Sequence, residues 1–432
     1  MAAASLAAVP AHAQSGLPLK PSLDTTEEAA PPPIFASPAP VFEDPVPVKR
    51  RARQAADPYA PTGVAMGGLR LYPSITIGSI ATTNLPRSAS DPKKDAGLNL
   101  RPSLRIESDW VRHAWNLDAS GDLAFYARNN DLNSRDLDVS QRLRLDVRRG
   151  TTADLESSYS LSQSGLEDSD VPATAVGYQT EHALAGSTTL TQDFGPIEGR
   201  IRGGATWRRY DDVKLSGGGT QSNADREYVE PSLSLRATLT DGAVFRPFVE
   251  VGYAPRLHRL TYDRNGLKRD SQGYSATAGL GIDSGPVWSG DLGLTYLRRT
   301  YEDPALKSNS AVGLTGNVTW NPSELTRIVL GLGTTLSETT SATSSGSRNW
   351  SATLDFTHAL RENIDVAAGA GVEISKADGG SDVTYDASLD LSWKINPTLA
   401  WTAGYDFTWL DAATSARDYK EHRVTAGITL RR

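Results

Sequence analysis

The stretch "DASLDLSWKINPTLAWTAGYDF", residues 386–407, decides the fold. Ahead of Asn396-Pro397, Asp386, Ser388, Asp390, Ser392 and Lys394 alternate with Ala387, Leu389, Leu391, Trp393 and Ile395. Beyond it, Leu399, Trp401, Ala403, Tyr405 and Phe407 alternate with Thr398, Ala400, Thr402, Gly404 and Asp406. Period-two alternation on both sides of a turn signal is a β-hairpin with one apolar and one polar face.

The same grammar runs from Gly68 to the end of the chain. Eighteen alternating segments lie between residues 69 and 431, the second at 97–110 and the ninth at 243–262. Their connections alternate in length. Tight turns fall at Val111-Arg112, Gly150, Gly195-Pro196, Asp241-Gly242, Gly285-Pro286, Asn321-Pro322, Arg361-Glu362 and Asn396-Pro397, and longer polar loops fall between them. Short turns at one end and long loops at the other are the layout of an outer-membrane barrel. The expected fold is all-β: a transmembrane antiparallel up-and-down β-barrel of about eighteen strands. The expected location is the bacterial outer membrane, with lipid, lipopolysaccharide and the barrel-assembly machinery as partners.

Bulk composition is consistent with this and removes other classes. The chain has 432 residues, a formal charge of −7 and no cysteine. No disulfide framework or thiolate site can form, and the acidic balance argues against a nucleic-acid partner. No run of apolar residues is long enough for a transmembrane helix. Residues 1–13, "MAAASLAAVPAHA", read as the remnant of a signal peptide ending in an A-x-A site. Residues 14–67 read as a disordered Pro/Ala-rich periplasmic linker carrying the basic cluster Lys49, Arg50, Arg51 and Arg53, and 68–432 as the barrel.

Tryptophan placement tests the barrel. Trp110, Trp115, Trp288, Trp320, Trp393 and Trp401 fall near short turns, and Trp207, Trp350 and Trp409 fall at loop ends, all on the apolar parity. Two membrane interfaces give indole that distribution, so these residues are expected to form the interface girdles. The polar parity carries charge. A basic arc is expected from Arg101, Arg105, Arg142, Arg144, Arg148, Arg200, Arg202, Arg208 and Arg236, and an acidic arc from Asp355, Asp365, Glu373, Asp386, Asp390 and Asp406. Two readings stand side by side: a transverse field across a wet lumen, or cross-strand ion pairs holding the wall together.

No catalytic constellation is present: the six histidines lack metal-ligand spacing, and no nucleophile elbow or phosphate-binding loop appears. Neither an enzyme nor a metal or cofactor site is expected. "DRNGLKRDSQG" (263–273) and "KADGGSD" (376–382) read as hairpin-loop chemistry.

"DPYAPTGVAMGGLRLYPSITIG" (57–78), "LRPSLRIESDWVRHAWNLDASGDLAFYARNNDLN" (100–133), "LTYLRRTYEDPALKSNSAVGLTGNVTWNPSELTRI" (294–328) and "KINPTLAWTAGYDFTW" (394–409) resemble the putative β-barrel porin type 2 family of Gram-negative outer membranes. The resemblance covers about residues 57–432 and rests on a patterned entrance and a repeated turn grammar. It implies an outer-membrane barrel, and relatives in exopolysaccharide gene clusters imply polymer export with periplasmic polysaccharide-export partners. No family site residues carry over. The terminal "AGITLRR" departs from common barrel usage in lacking a final aromatic. The expected function is a passive pore for hydrophilic solutes, serving exopolysaccharide export in one version. The alternative is a non-conducting structural barrel.

Overall fold

The computed structural model describes residues 57–165, 167–168, 170–172, 174–241, 244–339 and 344–432. The signal-peptide reading, the basic cluster at 49–53 and most of the linker lie outside them. The barrel strands are β1 (Leu69–Thr82), β2 (Asp95–Ser108), β3 (Ala114–Tyr126), β4 (Ser134–Arg148), β5 (Thr151–Ser164), β6 (Gln179–Asp193), β7 (Ile197–Tyr210), β8 (Tyr228–Leu239) and β9 (Phe245–His258). They continue as β10 (Ser271–Asp283), β11 (Trp288–Tyr301), β12 (Asn309–Ser323), β13 (Thr326–Ser337), β14 (Ser347–Arg361), β15 (Ile364–Ala377), β16 (Gly380–Asn396), β17 (Leu399–Asp411) and β18 (Tyr419–Arg431).

Each strand pairs antiparallel with its sequence neighbours, and β1 pairs with β18 from Ser74↔Arg431 to Thr82↔Arg423. The ring is closed. Closure removes the sheet edge, whose unpaired N–H and C=O groups would be costly in hydrocarbon. All eighteen expected segments are strands. The largest boundary difference is at β9, which ends at His258 and not at 262. The apolar alternation continues past that point, but the Asp263 carboxylate accepts the N–H groups of Asn265 (2.8 Å) and Leu267 (2.9 Å) and folds the chain into a loop.

Parity decides which way each side chain points. On β16, Tyr385, Leu389 and Trp393 are 40%, 52% and 48% exposed, whereas Ser392 and Lys394 on either side of Trp393 are nearly inaccessible. The apolar face is outside. At the short-turn end Trp288 and Trp320 sit directly opposite each other and stack at 5.2 Å, and Trp393 faces Trp401 across the hairpin that opened the sequence reading. Ahead of β1, the short strand Val64–Met66 folds back on Leu69–Leu71. Arg431 Nη2 donates to Tyr59 O at 3.0 Å, tying that segment to the end of β18.

One stretch of wall is irregular. The β12–β13 ladder runs only from Ser323↔Thr326 to Gly316↔Leu332. Beyond it β13 tucks inward, and Leu336 packs on Ala254, Leu297 and Ala311 from the lumen-side faces of β9, β11 and β12. Side chains then satisfy backbone groups along the seam. Thr334 Oγ1 donates to Leu314 O (2.8 Å), and Trp350 Nε1 donates to Val312 O (3.0 Å). Below the seam, Gly316 holds φ +128°, and a Cβ there would lie 2.1 Å from Asp291 O on β11. Gly316→Val should therefore destabilise the folded barrel by about 1–3 kcal/mol. Gly203→Ala, where nothing lies within 4 Å, should shift the urea midpoint in micelles little; equal shifts for the two would refute the close-approach account.

Candidate functional site: the lumen and its outer mouth

The inward parities of β2 to β8 place the expected arginines along one arc of the lumen, where the ladder brings carboxylates against them. Arg101 meets Asp122 (3.0 Å), Arg105 meets Glu107 (3.1 Å), Arg142 meets Asp154 (2.8 Å) and Arg144 meets Asp146 (3.3 Å). Arg200 meets Glu198 (3.1 Å), Arg202 meets Glu156 (3.1 Å), Arg208 meets Glu181, and Arg236 meets Asp291 (2.6 Å). Arg148 instead donates to Thr151 Oγ1 (3.0 Å) and Gln192 Oε1 (3.3 Å). This arc is a ladder of ion pairs.

The opposite arc differs. Asp365 is paired with Lys394 at 2.5 Å, deep at the short-turn end. Asp355, Glu373, Asp386, Asp390 and Asp406 face the lumen on β14 to β17, and among the described residues none has a cation within ion-pair distance. Asp386 accepts a hydrogen bond from Thr408 Oγ1 (2.9 Å). Register sets them close together: Asp355 lies opposite Gly369, Asp386 opposite Gly371 and Asp390 opposite Gly404. These glycines leave the carboxylates room to lie along the wall. A Cβ on Gly404 would sit 2.8 Å from Asp390 Oδ1.

The outer mouth is crossed by the loop between β5 and β6. Glu167 pairs with Arg87 of the β1–β2 loop at 3.0 Å, and Arg87 also pairs with Glu421 on β18 at 3.0 Å. Asp170 pairs with Arg226 before β8 (3.4 Å) and accepts a hydrogen bond from Thr339 beyond β13 (2.9 Å). The Val176 N–H donates to Lys214 O (2.9 Å), and Tyr178 OH donates to Leu85 O (3.3 Å). Anchors on both sides of the ring hold this loop across the lumen. A second anchor is Glu338, just past β13, which faces Arg256 (3.2 Å), Arg299 (3.6 Å) and His258 (3.4 Å) and accepts from Ser271 Oγ (2.8 Å). Burial alone would raise the Glu338 carboxyl, but Arg256, the His258 hydrogen bond and Arg299 outweigh it and hold the group well below the usual carboxylate range. Glu230 joins the cage through Arg256 (2.7 Å) and Arg299 (2.8 Å).

Sequence reasoning found neither the crossing loop nor the Glu230–Arg256–Arg299–Glu338 cage. Glu230 and Arg256 do share the polar parity of adjacent strands, a usable signal; Glu338 shows itself only once β13 turns inward. The tryptophans lie at the two ends. Trp115 donates to Gln141 Oε1 (3.1 Å), Trp207 donates to Glu227 Oε1 (3.1 Å), and Trp409 stacks on Tyr385 at 5.0 Å. Trp110 lies in the β2–β3 turn, past the end of β2, and Trp350 is wedged into the seam.

Residues 57–432 match the family described as Putative beta-barrel porin 2. The chain belongs to that family. It is an outer-membrane protein with a porin-like barrel. No curated protein matches it. Among solved structures it is similar to the outer membrane protein opdK from Pseudomonas aeruginosa, at 10% identity over 84% of this chain and 99% of that one, with a TM-score of 0.41. It is similar also to the siderophore receptor PirA, from Pseudomonas aeruginosa at 11% identity (84% and 80% covered, TM-score 0.37) and from Acinetobacter baumannii at 8% (84% and 80%, TM-score 0.41).

Asp168 is expected to make the packing of the mouth loop depend on pH. Burial pushes its carboxyl up to about 7, against the attraction of Arg226 and with the repulsion of Asp170 and Glu167. A carboxyl whose folded pKa is raised favours the packed loop while protonated, so this contribution is greatest at acid pH and is lost as pH rises through about 7. Amide hydrogen exchange across 165–178, corrected for intrinsic rates, should be about tenfold faster relative to the barrel at pH 8 than at pH 5. Asp168→Asn should flatten that difference; an unchanged pH dependence in the variant would remove Asp168 from the account.

Proposed function

We propose that this barrel is a passive, cation-preferring pore for small hydrophilic solutes, narrowed at its outer mouth by the 165–178 loop. One observation carries the reading: the carboxylates Asp355, Glu373, Asp386, Asp390 and Asp406 line one arc with no paired cation, while the facing arginines are largely neutralised by partners. An uncompensated row of one sign on a low-dielectric wall enriches counter-ions, here on the order of tenfold. The transverse field weighed at the sequence level becomes, on this reading, a one-sided acidic field. An acidic exported polymer would be repelled by it, whereas a neutral polysaccharide is compatible and can be assayed as a blocker of the current.

The alternative, a non-conducting structural barrel, draws support from the loop anchored across the mouth by Glu167, Asp170 and Tyr178. Planar-bilayer recording under a KCl gradient separates the two. The pore reading expects stable conductance with a reversal potential on the cation-selective side. It also expects the variant D355N/E373Q/D386N/D390N/D406N to lose that selectivity, and E167Q/R226Q, which cuts the loop's anchors, to raise conductance. Silence from both the native chain and E167Q/R226Q would leave the structural barrel as the answer.

A further inference from the structure

Most inward arginines have a carboxylate partner inside the barrel, whereas of the outward cations of the described strands only Arg209 has one, Asp211 at 3.8 Å. Arg135 on β4, Arg209 on β7, Arg298 on β11, Arg348 on β14, Lys376 on β15 and Lys420 on β18 occupy the lipid-facing parity. Every one lies within three residues of the loop end of its strand. Within the described strands the sole carboxylate on that parity is Asp411, also at a loop end. The short-turn ends carry apolar or uncharged side chains there, save Arg361 at the bulge beside the β14–β15 turn. Snorkelling side chains that merely reach for water would be expected at both interfaces. This charge is at one.

Three of these cations frame the seam where β13 leaves the wall. Arg348 and Lys376 are directly opposite each other on β14 and β15, a like-charge pairing that destabilises a sheet unless an anion lies between them. Arg298 lies opposite Ser310 on β12, and Arg348 Nε donates to the adjoining Asn309 Oδ1 at 2.9 Å. Arg298 and Lys376 are exposed, and among the described residues none of the three has a carboxylate within ion-pair distance.

We propose that the outer rim of the lipid-facing wall binds a phosphorylated glycolipid of the outer leaflet, with a phosphate shared by Arg298, Arg348 and Lys376 at the seam. Phosphate supplies the missing counter-ion, and its oxygens accept charge-assisted bonds from several cations at once. Position selects the source. An anionic phospholipid of the inner leaflet would meet the short-turn end, where the lipid-facing positions of the strands offer only Arg361 and the turns add Arg112 and Arg149, and a solute in the lumen cannot reach this face.

The experiment uses the full chain in detergent, with native mass spectrometry and three probes: bisphosphorylated lipid A, the same lipid with both phosphates removed, and phosphatidylglycerol. Selective retention of the bisphosphorylated form is expected. Affinity should weaken roughly tenfold or more in R298S/R348S/K376S, and likewise for the unaltered chain as salt is raised. If the triple variant does not fold, the salt titration and the charge-conserving R298K/R348K variant, which should keep at least part of the binding, carry the test. Equal affinity for the phosphate-free lipid, or no salt dependence, would overturn the proposal. Equal affinity for phosphatidylglycerol would overturn the assignment to glycolipid. Because the readout is lipid binding, it is independent of whether the barrel conducts.

Discussion

Backbone hydrogen bonding in hydrocarbon is the constraint on which the rest of this molecule depends. Each strand must be paired on both sides, and the β1–β18 ladder meets that requirement where an open sheet would fail. Closure fixes parity, because a one-residue slip anywhere would turn an entire apolar face into the lumen. It also explains the chemistry of the seam. Where β13 leaves β12, the Leu314 and Val312 carbonyls take side-chain donors from Thr334 and Trp350. A polar hydroxyl and an indole thus stand in for missing rungs of the ladder.

Inside the ring, a different economy governs charge. Arg142, Arg202 and Arg236 would each be expensive to bury alone, and each is matched by a carboxylate from another strand: Asp154 on the adjacent β5, Glu156 two strands away and Asp291 three strands away. On the acidic arc, Asp365 is matched by Lys394, while Asp355, Glu373, Asp386, Asp390 and Asp406 have no cation within ion-pair distance among the described residues, with glycines such as Gly404 making space for them. Asymmetry of this kind is difficult to explain as wall stability, since unpaired like charges along neighbouring strands oppose it. It is the observation on which the proposed cation-preferring lumen rests.

The mouth combines both themes. Glu167 and Asp170 reach from one loop to Arg87 and Arg226, and Glu338 enters a cage of Arg256, Arg299 and His258. These groups belong to loops and strand ends far apart in sequence, and their ion pairs fasten the loops across the opening. Asp168 is buried among them with its carboxyl pKa raised by that burial, which predicts a link between loop packing and proton concentration. The outer face of the same rim carries cations, Arg298, Arg348 and Lys376 among them, that have no carboxylate within ion-pair distance among the described residues, so the two sides of one wall present opposite electrostatic demands.

The sequence by itself determined the class of object. Period-two alternation, the two classes of connection and the Asn396-Pro397 hairpin specify the barrel, its strand number and the outward face of Leu389, Trp393 and Trp401, because pleat geometry is local and periodic. The inward position of Arg142 and Asp390 was legible for the same reason. Their partners were not. Whether Arg142 meets Asp154, or Asp390 meets a glycine, is set by cross-strand register, which alternation constrains only to parity. The 165–178 loop crosses the mouth, and β13 tucks behind β11 and β12, through contacts between residues far apart in sequence, 80 positions for Arg87 with Glu167 and 169 for Asp170 with Thr339. Such contacts have no local period to announce them. Tertiary structure alone decided which charges are neutralised, which stay without an ion-pair partner, and how the mouth is held.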